Sequence, residues 1–388
     1  MSLHVVVGAG PVGSAIACLL ADRGDQVRLV TRTGSGPEHP GIDRLRVDAT
    51  DAEALARQAS GASVLYHCAQ PAYHRWASEF PPLSAAISRA AEMTGAALVS
   101  AGNLYGYGPV AGPITENCPV RPSSAKGRVR AALWAAQLAA HTAGRVRTAE
   151  VRGSDYLGSG AQTIFTIMVL PAVLKGRRAL APADLDAPHS WTYTGDMART
   201  MIAVGADESA WGRVWHAPTP PPVPVRTLTA RAAKLADAAP ARIGRLPAPL
   251  LRLAGLFSPG AREISEIRYQ FDRPFVLDST AAQRAFNLAP ASTDQALGET
   301  IRAMKATLLH DVGARQNVGL CAGGAGFCQC PGRLAACEHS TSGEITTWTW
   351  GHGTGRRAST GECHDPTSER HHDPFHNRRR GTRPLLCA

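Results

Sequence analysis

Short apolar runs alternate with longer amphipathic stretches through the first half of the chain. The runs at 3–7 and 27–31 are typical of buried strands, and the stretches at 14–23 and 124–140 repeat apolar residues with the helical period. The same patterns predict strands at 44–47, 63–67, 97–101, 146–152 and 213–216, and helices that start at 51, 83 and 194. Strands that alternate with helices in this way predict an α/β fold built on a doubly wound parallel sheet.

The alternation loosens after residue 152, which predicts a second part of the fold. Residues 153–190 and 217–312 combine loops with separate helices, and we expect them to form a smaller C-terminal lobe over the sheet. The segment between them, 191–216, pairs a helix with a short strand. We therefore expect this segment to return to the sheet of the first domain, 1–152.

The last segment, 313–388, differs from the rest of the chain in composition. It is rich in Cys, His, Gly, Thr and Arg and shows neither a helical nor a strand period, so we expect a disordered tail. A zinc site is the alternative, with ligands drawn from Cys328, Cys330, Cys337 and His339. These residues lack the paired Cys-x-x-Cys spacing of zinc ribbons, and no metal is predicted.

Charge and hydropathy exclude several kinds of partner. The net charge is +10, but the basic residues are mostly scattered singly, and we expect no nucleic-acid partner. The chain has no apolar run of the ~18 residues that a membrane helix needs. Its first residues lack the basic segment and cleavage site of a signal peptide. We therefore expect a soluble cytoplasmic protein with no membrane partner.

A glycine-rich turn follows the first predicted strand. Its sequence is Gly8-Ala-Gly10-Pro11-Val12-Gly13, and it opens the first predicted helix. In this context Gly8 permits a tight turn, Gly10 lets the backbone approach a pyrophosphate, and Gly13 lets the helix pack against the strand. The start of the helix offers free N–H groups to the phosphates. The turn therefore predicts a dinucleotide-binding domain of the Rossmann type.

The end of the second strand indicates which dinucleotide is preferred. An acidic residue there would bind the ribose 2′-hydroxyl of NAD, whereas a basic residue suits the 2′-phosphate of NADP. This chain has Thr31 and Arg32, and its next acidic residue is Glu38. A guanidinium pairs well with phosphate, so we predict NADP as the cofactor, with NAD as the alternative. Arg32 could instead be an ordinary solvated loop residue.

A series of short motifs accompanies this turn along the chain. They are Val7–Gly13, Val47–Asp51, His67–Gln70, Leu104–Gly106, Lys126, Arg152–Gly158 and Tyr193–Arg199. In this order they resemble the extended short-chain dehydrogenase/reductases, the NAD-dependent epimerase/dehydratase family. The resemblance covers about residues 3–312 and implies a Rossmann-type sheet with a C-terminal substrate lobe.

The resemblance also implies which residues contact the cofactor. Asp48 would bond the adenine ring, and Lys126 would hold the nicotinamide ribose. Cys68, Ala69 and Gln70 would line the cofactor after the fourth strand. Two of these residues have a simpler alternative, since Asp48 could cap a helix and Lys126 could lie on a solvated helix face.

The catalytic pattern of this family is incomplete in this chain. Members carry Tyr-x-x-x-Lys, in which the tyrosine transfers a proton and the lysine lowers the tyrosine pKa. Here the position four residues before Lys126 is Pro122, which carries no proton. The family's serine or threonine is replaced by Ala101, and strand alternation directs the neighbouring Ser100 to the opposite face. The chain is therefore an atypical member.

Another group must then handle the proton. Tyr105 and Tyr107 follow the fifth strand and are the first candidates, and Asp155 is the third. The aromatic loop around Tyr73 could form a wall of the substrate pocket, since ligands bind at the carboxyl ends of parallel strands. His189 could also reach the site, or it could be a buried structural residue.

Three functions are compatible with these residues. The first is an NADP-preferring oxidoreductase that transfers hydride at a carbonyl or secondary alcohol of a small molecule, with a non-standard proton donor. The second is a non-catalytic NADP-binding regulator or sensor. The third is a redox-neutral epimerase or dehydratase with a tightly held cofactor. The resemblance also implies a possible homodimer.

Overall fold

A seven-stranded parallel sheet forms the centre of the fold in a computed structural model, which describes residues 1–257 and 259–319. The strands within this part of the chain are β1 Leu3–Val7, β2 Gln26–Thr31, β3 Ile42–Arg46, β4 Val64–His67, β5 Ala97–Asn103, β6 Thr148–Gly153, β7 Asp155–Leu157, β8 Ala179–Ala181, β9 Trp191–Tyr193, β10 Val214–His216 and β11 Ile243–Arg245. The strand order in the main sheet is β10-β6-β5-β4-β1-β2-β3. The order of connection reverses between β1 and β4, and in open α/β sheets this switch point is where ligands bind.

Eleven helices are formed by the described residues. They are α1 Pro11–Asp22, α2 Ala52–Ala59, α3 Trp76–Thr94, α4 Ala125–Thr142, α5 Leu170–Leu174, α6 Thr194–Ala206, α7 Val225–Leu235, α8 Ala248–Phe257, α9 Pro259–Ile267, α10 Thr280–Phe286 and α11 Thr293–Gly319. Residues Met1–Val312 form one compact unit.

Helices cover both faces of the sheet, as the alternating side chains of its strands require. Within β1, Val6 packs into one apolar cluster with Ile16 of α1 and Met201 of α6. Val5 packs into a second cluster with Ile87 of α3. Successive strand residues point to opposite faces, so a strand that is buried throughout needs a helical layer on each side. The predicted doubly wound α/β fold is confirmed.

Two helices begin earlier than their sequence patterns predict. α1 begins at Pro11 because proline is favoured at the first helical position, where its missing N–H costs nothing. α3 begins at Trp76, although Pro81 and Pro82 lie inside it. Trp76 and Phe80 are buried one turn apart, and their packing anchors the turn that the prolines would otherwise weaken.

A third apolar cluster lies outside the two faces of the sheet. It joins Phe165, Leu170, Leu228 and Leu297, which come from distant parts of the sequence. Two small parallel sheets accompany it, one formed by β8 with β11 and the other by β7 with β9. The segments that we predicted as the smaller lobe therefore contain a core of their own, in addition to the core of the main sheet.

The end of the chain is described only in part. α11 extends to Gly319, which lies beyond the predicted start of the tail at residue 313. Residues 320–388 lie outside the described residues, so the disordered tail stays a prediction and the zinc site stays its alternative. Within the described part of the chain, no helix is both long and apolar enough to cross a membrane.

Candidate active site

A cavity of about 1170 Å³ opens at the carboxyl ends of the central strands. Its walls come from the residues that follow β1, β2, β4 and β5, together with parts of 153–168 and 263–270. The volume exceeds the ~300–1,000 Å³ of ordinary small-molecule pockets. The cavity is thus large enough for a dinucleotide together with a second molecule.

The glycine turn shapes one end of this cavity. Gly8 has a φ of +101°, and a Cβ on it would lie 2.7 Å from the backbone nitrogen of Ala69. A Cβ on Gly13 would overlap the carbonyl oxygen of Gly8. Gly10 differs, because a Cβ on it would meet no described atom within 4 Å. Gly8 and Gly13 are therefore needed for the turn itself, whereas Gly10 keeps space open above it.

The turn leads directly into α1. Gly10 is the residue before the helix, and no described side chain caps this end. Pro11 has no N–H, so the first free amides of the helix belong to Val12 and Gly13. These amides and the helix dipole give a positive potential that suits a phosphate group. The residues present therefore fit the pyrophosphate of a dinucleotide.

The opposite rim of the turn is polar. Thr31, Arg32 and Asp48 all line the cavity, and Arg32 is exposed to solvent. The Asp48 carboxylate accepts hydrogen bonds from the backbone and hydroxyl of Thr50, and these bonds lower the Asp48 pKa. The nearby Arg32 charge lowers it further. Asp48 does not cap α2, since that role belongs to Asp51.

The three residues after β4 line the middle of the cavity. They are Cys68, Ala69 and Gln70. Burial raises the pKa of the Cys68 thiol to about 12, so this cysteine is a neutral wall and not a nucleophile. The Gln70 side-chain oxygen accepts a hydrogen bond from Arg130 at 3.1 Å.

Tyr105 lies at the far end of the cavity beside Tyr73. The Tyr73 hydroxyl donates a hydrogen bond to the Tyr105 hydroxyl, with an oxygen–oxygen distance of 3.0 Å. Because Tyr105 accepts this bond, its own proton is free to be donated into the cavity. Burial raises the pKa of both tyrosines, and the Asp155 charge adds to this shift. Both hydroxyls are therefore protonated at neutral pH.

Tyr107 does not line the cavity, in contrast to the prediction that it is a proton donor. Its hydroxyl lies 2.9 Å from His216 Nε2, and the side chain is buried. Burial raises the Tyr107 pKa to about 12. The short helical turn Leu104–Tyr107 sends the side chains of Tyr105 and Tyr107 to different surroundings. Of the three predicted proton-handling residues, Tyr105 and Asp155 line the cavity and Tyr107 does not.

Lys126 is not among the described residues that line the cavity. Its ammonium forms ion pairs with Glu263 and Glu266 of α9, and the Glu266 pair measures 3.0 Å. Its backbone N–H donates a further hydrogen bond to Glu266. Lys126 is also buried, so the alternative of a solvated helix face is wrong. The ammonium that the family resemblance assigns to the nicotinamide ribose is therefore held by two carboxylates in this structure.

Arg130 lies one helical turn after Lys126 and lines the cavity. Its guanidinium donates to the carbonyl oxygen of Ala101 at 2.9 Å and lies 4.7 Å from the ring centroids of Trp76 and Phe80. Its Nε is buried and has no hydrogen-bond partner among the described residues. Arg130 is not among the residues predicted from the sequence, although its spacing of four from Lys126 places it on the same side of the helix.

Asp155 lines the cavity and contacts the buried His189. His189 Nε2 lies 2.9 Å from the Asp155 carboxylate, and its Nδ1 lies 3.2 Å from the carbonyl oxygen of Gln270. A neutral imidazole has one N–H and an ionised carboxylate has none. Both contacts can therefore be hydrogen bonds only when the Asp155–His189 pair holds one additional proton. His189 thus reaches the cavity through Asp155.

The position of the missing serine agrees with the strand alternation. Ser100 is buried and donates a hydrogen bond to the side-chain oxygen of Gln137 at 3.0 Å. Ala101, the next residue, lines the cavity and offers no proton. The cavity therefore lacks a hydroxyl at this point of β5, and Tyr105 with Tyr73 provides the nearby phenols.

Comparison with known proteins agrees with this geometry. A parallel sheet whose first turn can cradle a pyrophosphate defines a dinucleotide-binding protein of the Rossmann class. The model of the NAD dependent epimerase/dehydratase family matches residues 4–215. The match covers more than half of the 388 residues, and the chain belongs to this family. Among curated protein sequences, no significant match was found.

Solved structures show the same fold at low sequence identity. A dTDP-glucose 4,6-dehydratase from Streptomyces venezuelae with bound NAD is 21% identical, with a TM-score of 0.62 over 79% of this chain and 97% of its own. A UDP-glucuronic acid 4-epimerase from Bacillus cereus in complex with NAD is 14% identical, with a TM-score of 0.63 over 79% and 99%. A UDP-glucose 4-epimerase from Thermus thermophilus, also with NAD, is 19% identical, with a TM-score of 0.62 over 78% and 99%.

Proposed function

We propose that the protein is an NAD(P)-dependent oxidoreductase that prefers NADP and transfers hydride at a carbonyl or secondary alcohol of a small molecule. The observation that carries this proposal is that Tyr105, with its proton free, lines the same cavity as the glycine turn at Gly8 and Gly10. Tyr105 serves as the proton donor, because the chain has Pro122 at the position of the family's catalytic tyrosine.

The chain's own residues supply binding and proton transfer. When bound, a nicotinamide cofactor supplies or accepts the hydride. The free amides of Val12 and Gly13 hold the pyrophosphate, and Asp48 contacts the adenine end. Arg130, whose Nε is unpaired among the described groups, contacts the nicotinamide half in place of Lys126. These roles leave the Tyr105 end of the cavity for the substrate.

Proton transfer follows from the hydrogen-bond order at that end. Tyr105 donates its proton to the substrate oxygen, and the Tyr73 hydroxyl, 3.0 Å away, then donates to the phenolate that forms. The elevated pKa of Tyr105 makes it a weak acid in the resting protein. Asp155, which contacts His189 at 2.9 Å, lines the same cavity and is the next candidate for proton transfer.

The preference for NADP is supported by the rim of the cavity. Arg32 is exposed there and Thr31 lies beside it, so a 2′-phosphate would meet a guanidinium and a hydroxyl. Asp48, the acidic residue of this rim, accepts hydrogen bonds from Thr50. NAD is the alternative cofactor, since the similar solved structures described above contain NAD.

Two other functions keep support from particular observations. A redox-neutral sugar epimerase or dehydratase with a held NAD is supported by the dehydratase and the epimerase with bound NAD that share this fold. A non-catalytic dinucleotide sensor is supported by Lys126, whose ammonium is held by two glutamates. A cytoplasmic location, a homodimer and the domain boundaries remain expectations.

Calorimetric titration with NADPH, NADP, NADH and NAD tests this proposal first. We expect micromolar binding of the phosphorylated pair and weaker binding of the other two. The NADPH-loaded protein is then screened for oxidation of NADPH by carbonyl compounds, followed as loss of nicotinamide absorbance. Binding without turnover would favour the sensor. Tighter binding of NAD would favour the redox-neutral enzyme, and failure of all four to bind would contradict every dinucleotide function.

A further inference from the structure

The substrate end of the cavity is lined by aliphatic side chains. They come from two segments, 153–168 and 263–270, which line the same cavity as Tyr105. The aliphatic and thioether residues among them are Ala161, Ile164, Ile167, Met168, Ile264 and Ile267. Such a surface favours contact with an apolar molecule, because the removal of apolar surface from water is favourable.

Ile167 is the clearest member of this surface. Ile167 is 61% exposed to solvent, whereas Ile164 and Ile267 on the same wall are largely buried. A single exposed isoleucine is common, but this one lies in a cavity beside other apolar residues. An apolar ligand would cover it.

The charges on this wall are unfavourable for a diphosphate. Among its described residues the charged ones are Asp155 and Glu263, both acidic, and none is lysine or arginine. Each carboxylate already has a cationic or potentially cationic partner, His189 for the first and Lys126 for the second. A diphosphate placed against this wall would meet two carboxylates and no lysine or arginine of the wall itself, which discriminates against it; the arginines Arg75 and Arg130 line other parts of the cavity.

One polar group on this wall lacks a partner. The Gln270 side chain lines the cavity and is 1% exposed, and its amide nitrogen has no hydrogen-bond partner among the described residues. A buried donor of this kind is stabilised when an acceptor reaches it. A carbonyl or hydroxyl oxygen of an otherwise apolar molecule would satisfy it without adding charge.

We infer that the substrate is an uncharged, largely apolar carbonyl compound or alcohol, and that nucleotide-diphosphate sugars do not fit this site. The apolar part contacts Ile167 and its neighbours, and the single oxygen lies between Gln270 and Tyr105. This inference rests on the proposed function and specifies its substrate class.

Ligand binding to the full-length protein tests the inference. The probes are three apolar ketones, namely 2-decanone, camphor and acetophenone, and two nucleotide sugars, UDP-glucose and dTDP-glucose. Binding is followed by tryptophan fluorescence, since Trp76 lines the cavity. We expect at least one ketone to bind ten times or more tightly than both sugars, a difference of about 1.4 kcal/mol. The inference would be overturned if either sugar bound more tightly than the ketones, or if none of the ketones bound.

Three variants locate the binding. Ile167→Asp should weaken ketone binding by roughly tenfold or more, because the ligand would then bury a carboxylate. Val120→Asp is the matched control, since Val120 is also exposed but does not line the cavity, and it should change binding by less than about twofold. Gln270→Leu should weaken the ketone while leaving the protein folded, because it removes a donor that has no partner among the described groups. Equal effects of Ile167→Asp and Val120→Asp would contradict the assigned wall.

The two proposals fail in different ways. Ketone binding is measured both with and without NADPH, and NADPH binding is measured on the same protein. If the protein does not bind NADPH, the proposed oxidoreductase is contradicted. If it binds NADPH but binds a nucleotide sugar more tightly than a ketone, only the substrate class is contradicted.

Discussion

The Lys126 ammonium lies 3.0 Å from the Glu266 carboxylate, in an ion pair that joins α4 to α9. Burial alone would raise the Glu266 pKa, but hydrogen bonds from the Lys126 backbone and ammonium outweigh burial and lower it. Glu266 is therefore ionised at neutral pH, and it holds the lysine outside the cavity. One turn later, Arg130 lines the cavity; its guanidinium donates to Ala101 and Gln70, and its buried Nε has no partner among the described groups.

The different positions of Arg130 and Lys126 predict different outcomes for two substitutions in α4. Arg130→Met should weaken NADPH binding by about tenfold or more, because a hydrogen bond to a charged group contributes ~1.5–3 kcal/mol. Lys126→Met should lower the unfolding free energy, because it leaves the carboxylates of Glu263 and Glu266 without their cation, and it should weaken NADPH binding less than Arg130→Met does. Calorimetry on both variants makes the comparison. A larger loss from Lys126→Met would mean that the lysine leaves its glutamates when the cofactor binds.

The glycine turn predicts a second pair of contrasting variants. Gly10→Ala should leave the urea unfolding midpoint nearly unchanged, since its Cβ meets no described atom within 4 Å, yet it should weaken NADPH binding because that space faces the pyrophosphate. Gly13→Ala should lower the unfolding free energy itself, since its Cβ overlaps the Gly8 carbonyl. If Gly10→Ala binds NADPH as the unmodified protein does, the phosphate does not lie over this turn.

The sequence was a good guide where neighbouring residues act together. The strand periods and the order of motifs predict the sheet, because the apolar pattern of each strand lies within a few consecutive residues. The glycine turn could be placed for the same reason, since Gly8, Gly10 and Gly13 lie within six consecutive residues directly after a strand. The family resemblance was confirmed over the Rossmann part of the chain.

The sequence was a poor guide where distant segments meet. The ion pair of Lys126 with Glu266 joins residues that are 140 positions apart, and no local sequence pattern predicts it. Tyr105 and Tyr107 differ in their surroundings because a helical turn separates their directions, which a loop sequence does not show. Arg130 could have been found, since it follows Lys126 by one helical turn.

Arg32 carries the prediction of cofactor preference. Arg32→Ala should weaken NADPH binding by about tenfold and change NADH binding little, because the lost ion pair involves the 2′-phosphate alone. Arg46→Ala is the control, since Arg46 is exposed on the adjacent strand but does not line the cavity. Equal losses for the two dinucleotides would show that Arg32 acts on the protein fold or on a shared phosphate.

Tyr105 and Tyr107 give a test of the proton donor. Tyr105→Phe should lower kcat for ketone reduction by roughly a hundredfold or more, in the range of general acid catalysis, with NADPH binding retained. Tyr107→Phe should leave kcat nearly unchanged but lower the unfolding free energy by about 1 kcal/mol, because it removes a buried hydrogen bond to His216. A Tyr105→Phe variant with full activity would transfer the role to Asp155 and His189.

His67 predicts how stability depends on pH. Burial, aided by the Arg130 charge, lowers its pKa from 6.5 to about 3, so the ring is neutral in the folded protein. Below pH 6.5 the unfolded chain binds a proton at this residue and the folded chain does not. The unfolding free energy should therefore fall as the pH decreases, by up to about 1.4 kcal/mol per pH unit for this one group.

Urea unfolding between pH 7.5 and 5 measures this slope. His67→Phe preserves an aromatic ring against Phe80 and should reduce the slope by up to one proton. His74→Gln is the matched control, because His74 is exposed and lies in the next loop, and its slope should equal that of the unmodified protein. His4 and His216 also have lowered pKa values through burial, so part of the slope should persist in His67→Phe. If His67→Phe retains the whole slope, the ring of His67 takes up a proton in the folded state, and the wall behind Cys68 and Ala69 is open to water.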